Sequence, residues 1–258
     1  QKVKDVIERI GHQNPDLVKP ALGPKEPWAY RNKMQMPVGG ARGDIQMGFY
    51  AMGSHDIVQG TNCPIQDDGN NRIAQICYDI AKELDVEPYD EHMGKGVLRH
   101  VIGRIGQSGW MVILVTATEH LPHQEEWVER ITNRIPQVET IVHNVNRKRT
   151  NVILGTTNYV LYGDGSITDH IKDLQFTLSP HSFFQVNPEQ TTVLYDQALA
   201  YADLKGNETV IDAYCGTGTI SLFLAHKAKH VIGIEIVEPA IINARENAKN
   251  NGYDNTEF

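Results

Sequence analysis

The stretch from Val210 to Ala225, VIDAYCGTGTISLFLA, sets an acid (Asp212), an aromatic (Tyr214) and a thiol (Cys215) beside two closely spaced glycines, Gly216 and Gly218. A thiol in that setting is either a nucleophile or a small residue lining a ligand loop. The glycines favour a loop: without a Cβ they let the backbone turn sharply and approach a bound molecule closely. Their surroundings fit. ETVIDAYCG is a short apolar strand ending in the glycine turn, TISLFLAHKA a buried helix, HVIGIEIV a second strand, and EPAIINARENAKNNG a second helix. Pro239 stands near that last helix's start, Ala240, Ala244 and Ala248 share one face, and Gly252 closes it. Strand, glycine turn, helix, strand is half of a doubly wound fold, which binds ligands at the carboxyl ends of its strands. Glu235, ending the second strand, is placed to accept hydrogen bonds from both hydroxyls of a ribose. A dinucleotide fingerprint would need a third glycine at position 221, where this chain has Ser221. Asp212, the acidic second-strand end and the lack of a phosphate-cradling lysine suit S-adenosylmethionine, a sulfonium cation without phosphates. The loop alone leaves another nucleotide, or no ligand, as alternatives.

The elements that must hold this loop are read from patterning. The chain has 258 residues, 40% hydrophobic and 22% charged, enough for two domains with separate cores and without an apolar run of membrane-spanning length. QKVKDVIERIG lacks the apolar core of a signal peptide, so a cytoplasmic location is expected. Three widely spaced cysteines make no disulfide framework, and a net charge of -8 excludes indiscriminate adhesion to nucleic acid but not a local basic patch. Residues 1–27 read as a short amphipathic helix (Val3, Val6, Ile7, Ile10), capped at Gly11, and a Pro/Gly/Asn-rich linker. Residues 28–170 mix strands (YRNKMQMPVG, IQMGFYAM, VLRHVIGRI, WMVILVTAT, VETIVHNV) with helices (RIAQICYDIAKEL, HQEEWVERITNRI), an α+β pattern. Residues 171–258 alternate helix and strand, the mark of a parallel sheet. In QVNPEQ, Asn187 can cap a helix, Pro188 open its first turn and Gln190 complete a capping box. The preceding Phe183 and Phe184 read as core aromatics with Gln185 at an exposed strand end, unless the rigid cap aims Gln185 at a ligand.

DAYCGTGTISLFLA, together with SPHSFFQVNPEQTTVLYDQAL upstream, GIEIVEPAIINARENAKNNG downstream and YRNKMQMPVG near the start, resembles the RNA uridine C5-methyltransferases, which make 5-methyluridine in tRNA and 23S rRNA. The likeness runs over nearly the whole chain and is nearest the 23S rRNA enzymes of Gram-positive bacteria. It implies a Rossmann-like S-adenosylmethionine-dependent methyltransferase domain, present here as its first half, preceded by an α+β central RNA-binding domain. It also implies that Gln185, Tyr214 and Glu235 contact the methyl donor beside Gly216 and Gly218. In the family a cysteine adds to uracil C6, C5 takes the methyl group, and a carboxylate removes the C5 proton. Both groups lie downstream of the glycine loop, beyond Phe258. Residues 1–258 alone are therefore expected to be inactive, with no catalytic residue assigned within them.

The remaining candidates are weighed residue by residue. Cys77 falls on the apolar face with Ile73, Ile76, Ile80, Ala81 and Leu84, an inert core thiol. Cys63, in TNCPIQ, matches the last ligand of an iron-sulfur cluster carried by some family members, yet a single ligand builds none, and no cluster is expected. Cys215 reads as a loop residue rather than a nucleophile. Arg31, Lys33 and Gln35 alternate onto one strand face and could track RNA phosphates or flank a flipped uridine. The run Arg147, Lys148, Arg149 is a weaker RNA candidate, more often a solvated loop. No histidine pair has metal-ligand spacing, and no metal is expected. The partner is thus RNA, 23S rRNA first, bound by a monomer. The alternatives are a tRNA uridine methyltransferase or a non-catalytic fragment that binds RNA and nucleotide.

Overall fold

The computed structural model describes residues 1–258. In chain order its elements are α1 (Lys2–Arg9), β1 (Lys33–Ala41), β2 (Asp44–Tyr50), β3 (Ile57–Gln59), α2 (Asp68–Glu83), β4 (Leu98–Ile105), β5 (Trp110–Thr116), α3 (Gln124–Arg134), β6 (Val138–Val145), β7 (Thr157–Tyr162), β8 (Ile167–Ile171), β9 (Leu174–Leu178), α4 (Pro188–Ala202), β10 (Thr209–Asp212), α5 (Thr219–Ala225), β11 (His230–Gly233), α6 (Glu238–Asn250) and β12 (Thr256–Glu257). No helix is long and apolar enough to cross a membrane.

Seven strands form one sheet in the order β3-β2-β1-β4-β5-β6-β7, antiparallel throughout except for β5 beside β6, which α3 connects. Its central strands are apolar on both faces, because both are covered. Along β5, Val112 and Leu114 join a core with Ile73, Cys77 and Ile80 of α2 and Trp127 of α3. Met111, Ile113 and Val115 point the other way, into a second core with Phe176, Leu178, Leu222, Phe223 and Ala248. Strand periodicity thus makes one sheet the partner of two layers. The second core ties the sheet to everything that follows it, and the hairpin β8–β9 is the wedge between them. The boundary expected at residue 171 falls inside this hairpin, whose turn is set by Lys172 at φ +55.

The last elements form a parallel three-stranded sheet, β10-β11-β12, with α5 and α6 as its helices. Gly252 ends α6 in the left-handed region, φ +72, as a C-terminal glycine should. At α1 the expected cap differs: His12, at φ +49, takes the left-handed conformation in place of Gly11. None of the residues of α1 is buried, so no packing selects the position of its stop.

Candidate functional site

Parallel pairing brings the ends of β10 and β11 level, Asp212 beside Gly233, and the chain leaves β10 in a tight loop. The Cys215 amide donates to the Ile234 carbonyl at 3.1 Å, and the Gly218 amide to the Cys215 carbonyl at 2.9 Å. Gly216 (φ +54) and Gly218 (φ +80) both occupy the left-handed region, disfavoured for residues with a Cβ by about 1–2 kcal/mol. Their surroundings separate their roles. A Cβ on Gly218 would meet the Phe258 ring at 3.1 Å and Ala244 at 3.2 Å, so this glycine lets α5 begin close against α6. A Cβ on Gly216 would meet nothing within 4 Å, so this one faces open space.

Glu235 closes the loop from the neighbouring strand. One carboxylate oxygen accepts from the Gly216 amide at 3.2 Å, the other from the amides of Ile236 at 2.7 Å and Val237 at 3.0 Å. The Val237, Ile236 and Gly216 amides hold the carboxyl below the ordinary glutamate range. A carboxylate has roughly four acceptor positions. The backbone occupies three, which leaves room for one ligand hydroxyl rather than both of a ribose. Ser221, at the place of a dinucleotide fingerprint's third glycine, is fully buried and donates to Asp212 at 2.6 Å. Asp212 is thereby fixed at the strand end.

Between this loop and residues 179–183 lies a cavity of about 490 Å³. Gly216, Thr217 and Glu235 form one wall, His181, Ser182 and Phe183 another, and the start of α6 closes it. The Thr217 hydroxyl is buried without a partner behind this lining, closed off from the cavity itself. Of the two adjacent aromatics, Phe184 packs in the core against Phe176, with ring centres 5.7 Å apart, whereas Phe183 stands exposed at the cavity. Reading both as core aromatics was half correct, because strand-like alternation sends them to opposite sides.

The other two residues assigned to the methyl donor lie elsewhere. Gln185 lines a separate groove with Asn187, Gln190 and Leu194. Asn187 caps α4, accepting from the Gln190 amide at 2.9 Å, but the Gln190 side chain reaches the Leu22 carbonyl at 2.5 Å, so the reciprocal bond of a capping box is absent. Tyr195 on the same helix bonds Thr219 at 2.9 Å and fastens α4 to the start of α5. Tyr214 is 92% exposed and lines neither space. The structure therefore brings Gly216 and Glu235 together, sets Gly218 behind them, and leaves Gln185 and Tyr214 outside the cavity.

On β1, Lys33 pairs across the ladder with Arg104 of β4, and Gln35 with Ile102. Ile102 belongs to the second core, so this face of the sheet looks toward the hairpin and the cavity loops. Burial, with Arg104 and then Arg31 beside it, pushes the Lys33 ammonium down to about 8. Arg104 is buried and donates to the Ser182 carbonyl in the cavity wall. Of the other basic run, Arg147 pairs with Glu119, and the buried Arg99 guanidinium holds the loop through the Asn146 and Lys148 carbonyls at 2.6 and 2.8 Å. The groove that Arg147 and Lys148 line shares Thr156 with the cavity. Sequence reading missed Arg104, His181, Phe183 and Thr156. Of these, His181 and Phe183 lie in SPHSFFQVN, a segment that carries the family resemblance.

The thiols are poorly suited to nucleophilic attack here. Burial pushes Cys77 up to about 12. Burial and the carboxylates of Asp212 and Glu235 push Cys215 up to about 11. Cys63 does not line the cavity.

Comparison with known proteins adds three findings. A methyltransferase domain model matches residues 204–258. An uncharacterized RNA methyltransferase of Halalkalibacterium halodurans is 51% identical over 260 residues, covering 100% of this chain and 57% of that protein. One of Bacillus cereus is 49% identical, covering 100% of this chain and 56% of its own length. The chain thus spans just over half the length of these relatives. Among solved structures, the Pyrococcus abyssi tRNA (uracil-54, C5)-methyltransferase in complex with S-adenosyl-L-homocysteine superposes with a TM-score of 0.74 at 25% identity, over 91% of this chain and 56% of that one. The fold is that of the Rossmann-like, S-adenosylmethionine-dependent methyltransferases, with an α+β sheet region before it.

Proposed function

We propose that this chain supplies the methyl-donor pocket and RNA-contact surface of an RNA methyltransferase acting on uridine C5, with 23S rRNA as first substrate and 5-methyluridine as product. The observation that carries the reading is the pairing of Glu235 with the open glycine turn at Gly216 on the rim of the cavity. S-adenosylmethionine fits the groups present: one free acceptor position on Glu235 for a ribose hydroxyl, and the exposed Phe183 beside a flat nucleobase. When bound, it supplies an electrophilic methyl group. The anionic ends of Asp212 and Glu235 favour its cation over a dinucleotide's phosphates. Gln185 and Tyr214 belong to this reading as groups that reach the donor on rearrangement of their segments.

Lys33, with Arg31 and Gln35 on the same face, is the RNA-contact side. Burial raises the thiols of Cys77 and Cys215, which supports assigning neither as the attacking nucleophile; in this reading residues 1–258 bind without transferring, and the attacking cysteine and the base come from outside them. The reading places a monomer in the cytoplasm, where its three free cysteines stay reduced. The likeness to a tRNA enzyme supports a second reading, uridine methylation in tRNA. Titration with S-adenosylhomocysteine by calorimetry tests the pocket. Saturable binding lost in Glu235→Ala is the expected result, and no binding by the unsubstituted chain would overturn it. Competition between 23S rRNA and tRNA fragments for binding then separates the two substrates.

A further inference from the structure

Beside the cavity, the molecule buries positive charge that nothing neutralises. Lys33 and Arg104 face each other directly on antiparallel strands, and Arg31 lies one strand repeat before Lys33. Like charges directly opposite on a sheet repel and destabilise it. Arg104 is only 3% exposed, and its Nε finds no partner, while its remaining bond goes to a neutral carbonyl, that of Ser182. No carboxylate pairs with Lys33, Arg31 or Arg104, although six lysine or arginine contacts to carboxylates occur elsewhere in the molecule. Asp169, the buried acid on the neighbouring hairpin, accepts from the Asn32 amide at 3.4 Å instead. His181 adds a further ring nitrogen from the cavity wall, its proton affinity lowered by burial first and then by Arg104 and Lys33.

Buried charges are ordinarily paired, and a core gains nothing from two cations that could have been a leucine and a methionine. We infer that Lys33, Arg104 and His181 form a preorganised site for a single phosphate group, the phosphodiester of an RNA strand entering the donor cavity. The site rests on the RNA reading above and refines it: the cations converge behind the His181–Ser182 wall of the cavity on one anion, not on a strip along the surface. A guanidinium and an ammonium together give a phosphate charge-assisted hydrogen bonds, the guanidinium in a planar fork. Their location beside Ser182 fixes which nucleotide is held, the one whose phosphate lies against the wall opposite Glu235.

The test uses inorganic phosphate and RNA on the unsubstituted protein, Lys33→Met and, as a milder change, Arg104→Lys. Phosphate raises the thermal midpoint of the unsubstituted protein and leaves that of Lys33→Met unmoved. Without phosphate, Lys33→Met melts higher than the parent, because the repulsion is gone, and it binds RNA about tenfold more weakly at every sequence. Its affinity also falls less steeply with salt, the logarithmic slope shrinking by about 0.7 for one lost contact to a single strand. An equal midpoint shift by phosphate in parent and variant, or a Lys33→Met protein that melts lower while binding RNA normally, overturns the site. Arg104→Lys keeps the charge and loses the fork, so weakened phosphate binding with unchanged folding confirms that the anion is held at Arg104. S-adenosylhomocysteine titrated into the same proteins reports on the donor pocket separately. Loss of donor binding with phosphate stabilisation intact counts against the methyltransferase reading and leaves the anion site standing.

Discussion

The seven-stranded and the three-stranded sheets are built on opposite terms. Along β5, Met111 through Val115 are all fully buried, alternating between two cores, so each residue is fixed by what it touches. At the strand ends of the parallel sheet, Tyr214 is 92% exposed and Ile236 96% exposed, flanking the glycine turn. Packing dictates the first region; backbone conformation and a carboxylate dictate the second. The difference shows where a ligand has something to gain. Strand β5 offers a ligand no free group, whereas the loop offers an acceptor position on Glu235 and space beside Gly216. The anion pocket is the exception that joins them, since it places two charged residues inside the packed sheet where they face the loop.

Phe176→Ala is the substitution expected to break this comparison most severely. Its ring is fully buried in the core shared by both regions, and removing it costs about 3–5 kcal/mol. Trp127→Ala opens the other core at similar cost, but on the face away from the cavity. Denaturant unfolding should show comparable losses for the two, while S-adenosylhomocysteine affinity falls only with Phe176→Ala. Equal donor binding in both variants would mean that the three-stranded region folds independently of the sheet.

Glu235→Ala comes next. It removes one ligand acceptor and releases three backbone amides at once, and donor affinity should fall about a hundredfold. The acid's folded pKa lies below its unfolded one, so its contribution is complete above the ordinary glutamate pKa and is lost as pH falls through the lowered value. Donor binding followed from pH 7 downward should hold steady until below that ordinary range. A decline already near neutrality would point to a different titrating group. Gly216→Ala has a smaller effect on folding, about 1–2 kcal/mol of left-handed strain with no clash, yet it fills the space a ligand needs. A thermal midpoint lowered by a few degrees with donor binding abolished fits that division, and retained binding would place the ligand elsewhere.

Sequence patterning reached local features better than pairings between distant residues. The inward face of α2, the strands β1, β2 and β4 to β6, and the glycine turn were legible because each depends on periodicity or on one residue's conformational freedom. Strand β7 was not, since most of its residues are exposed and it shows no alternation. The hairpin β8–β9 was missed for its short strands, and His12 in place of Gly11 because an unpacked helix end obeys no pattern. The anion site behind the cavity depends on the register that sets Lys33 opposite Arg104 and on the loop whose Ser182 carbonyl Arg104 reaches. Neither pairing leaves a mark in the spacing of residues along one strand.

The smallest expected effect, that of Cys215→Ala, bears on whether the glycine loop performs chemistry. The thiol is buried, its one polar contact is 3.7 Å to the Gly216 carbonyl, and a Cβ built on Gly233 would come within 3.0 Å of its sulfur. Cys215 thus fills the room that Gly233 vacates. With its pKa raised to about 11 by burial and two carboxylates, it is a neutral thiol at pH 7, and attack on a pyrimidine requires the thiolate. Alanine should lower stability by about 1 kcal/mol and leave donor affinity within about twofold. Iodoacetamide supplies the complementary measurement: alkylation at this position should be slow at pH 7 and accelerate as pH approaches 11, because only then does the thiolate fraction grow. Rapid alkylation at neutral pH, suppressed by S-adenosylhomocysteine, would instead mark Cys215 as an activated nucleophile and turn the loop from a holder of the donor into a participant in the reaction.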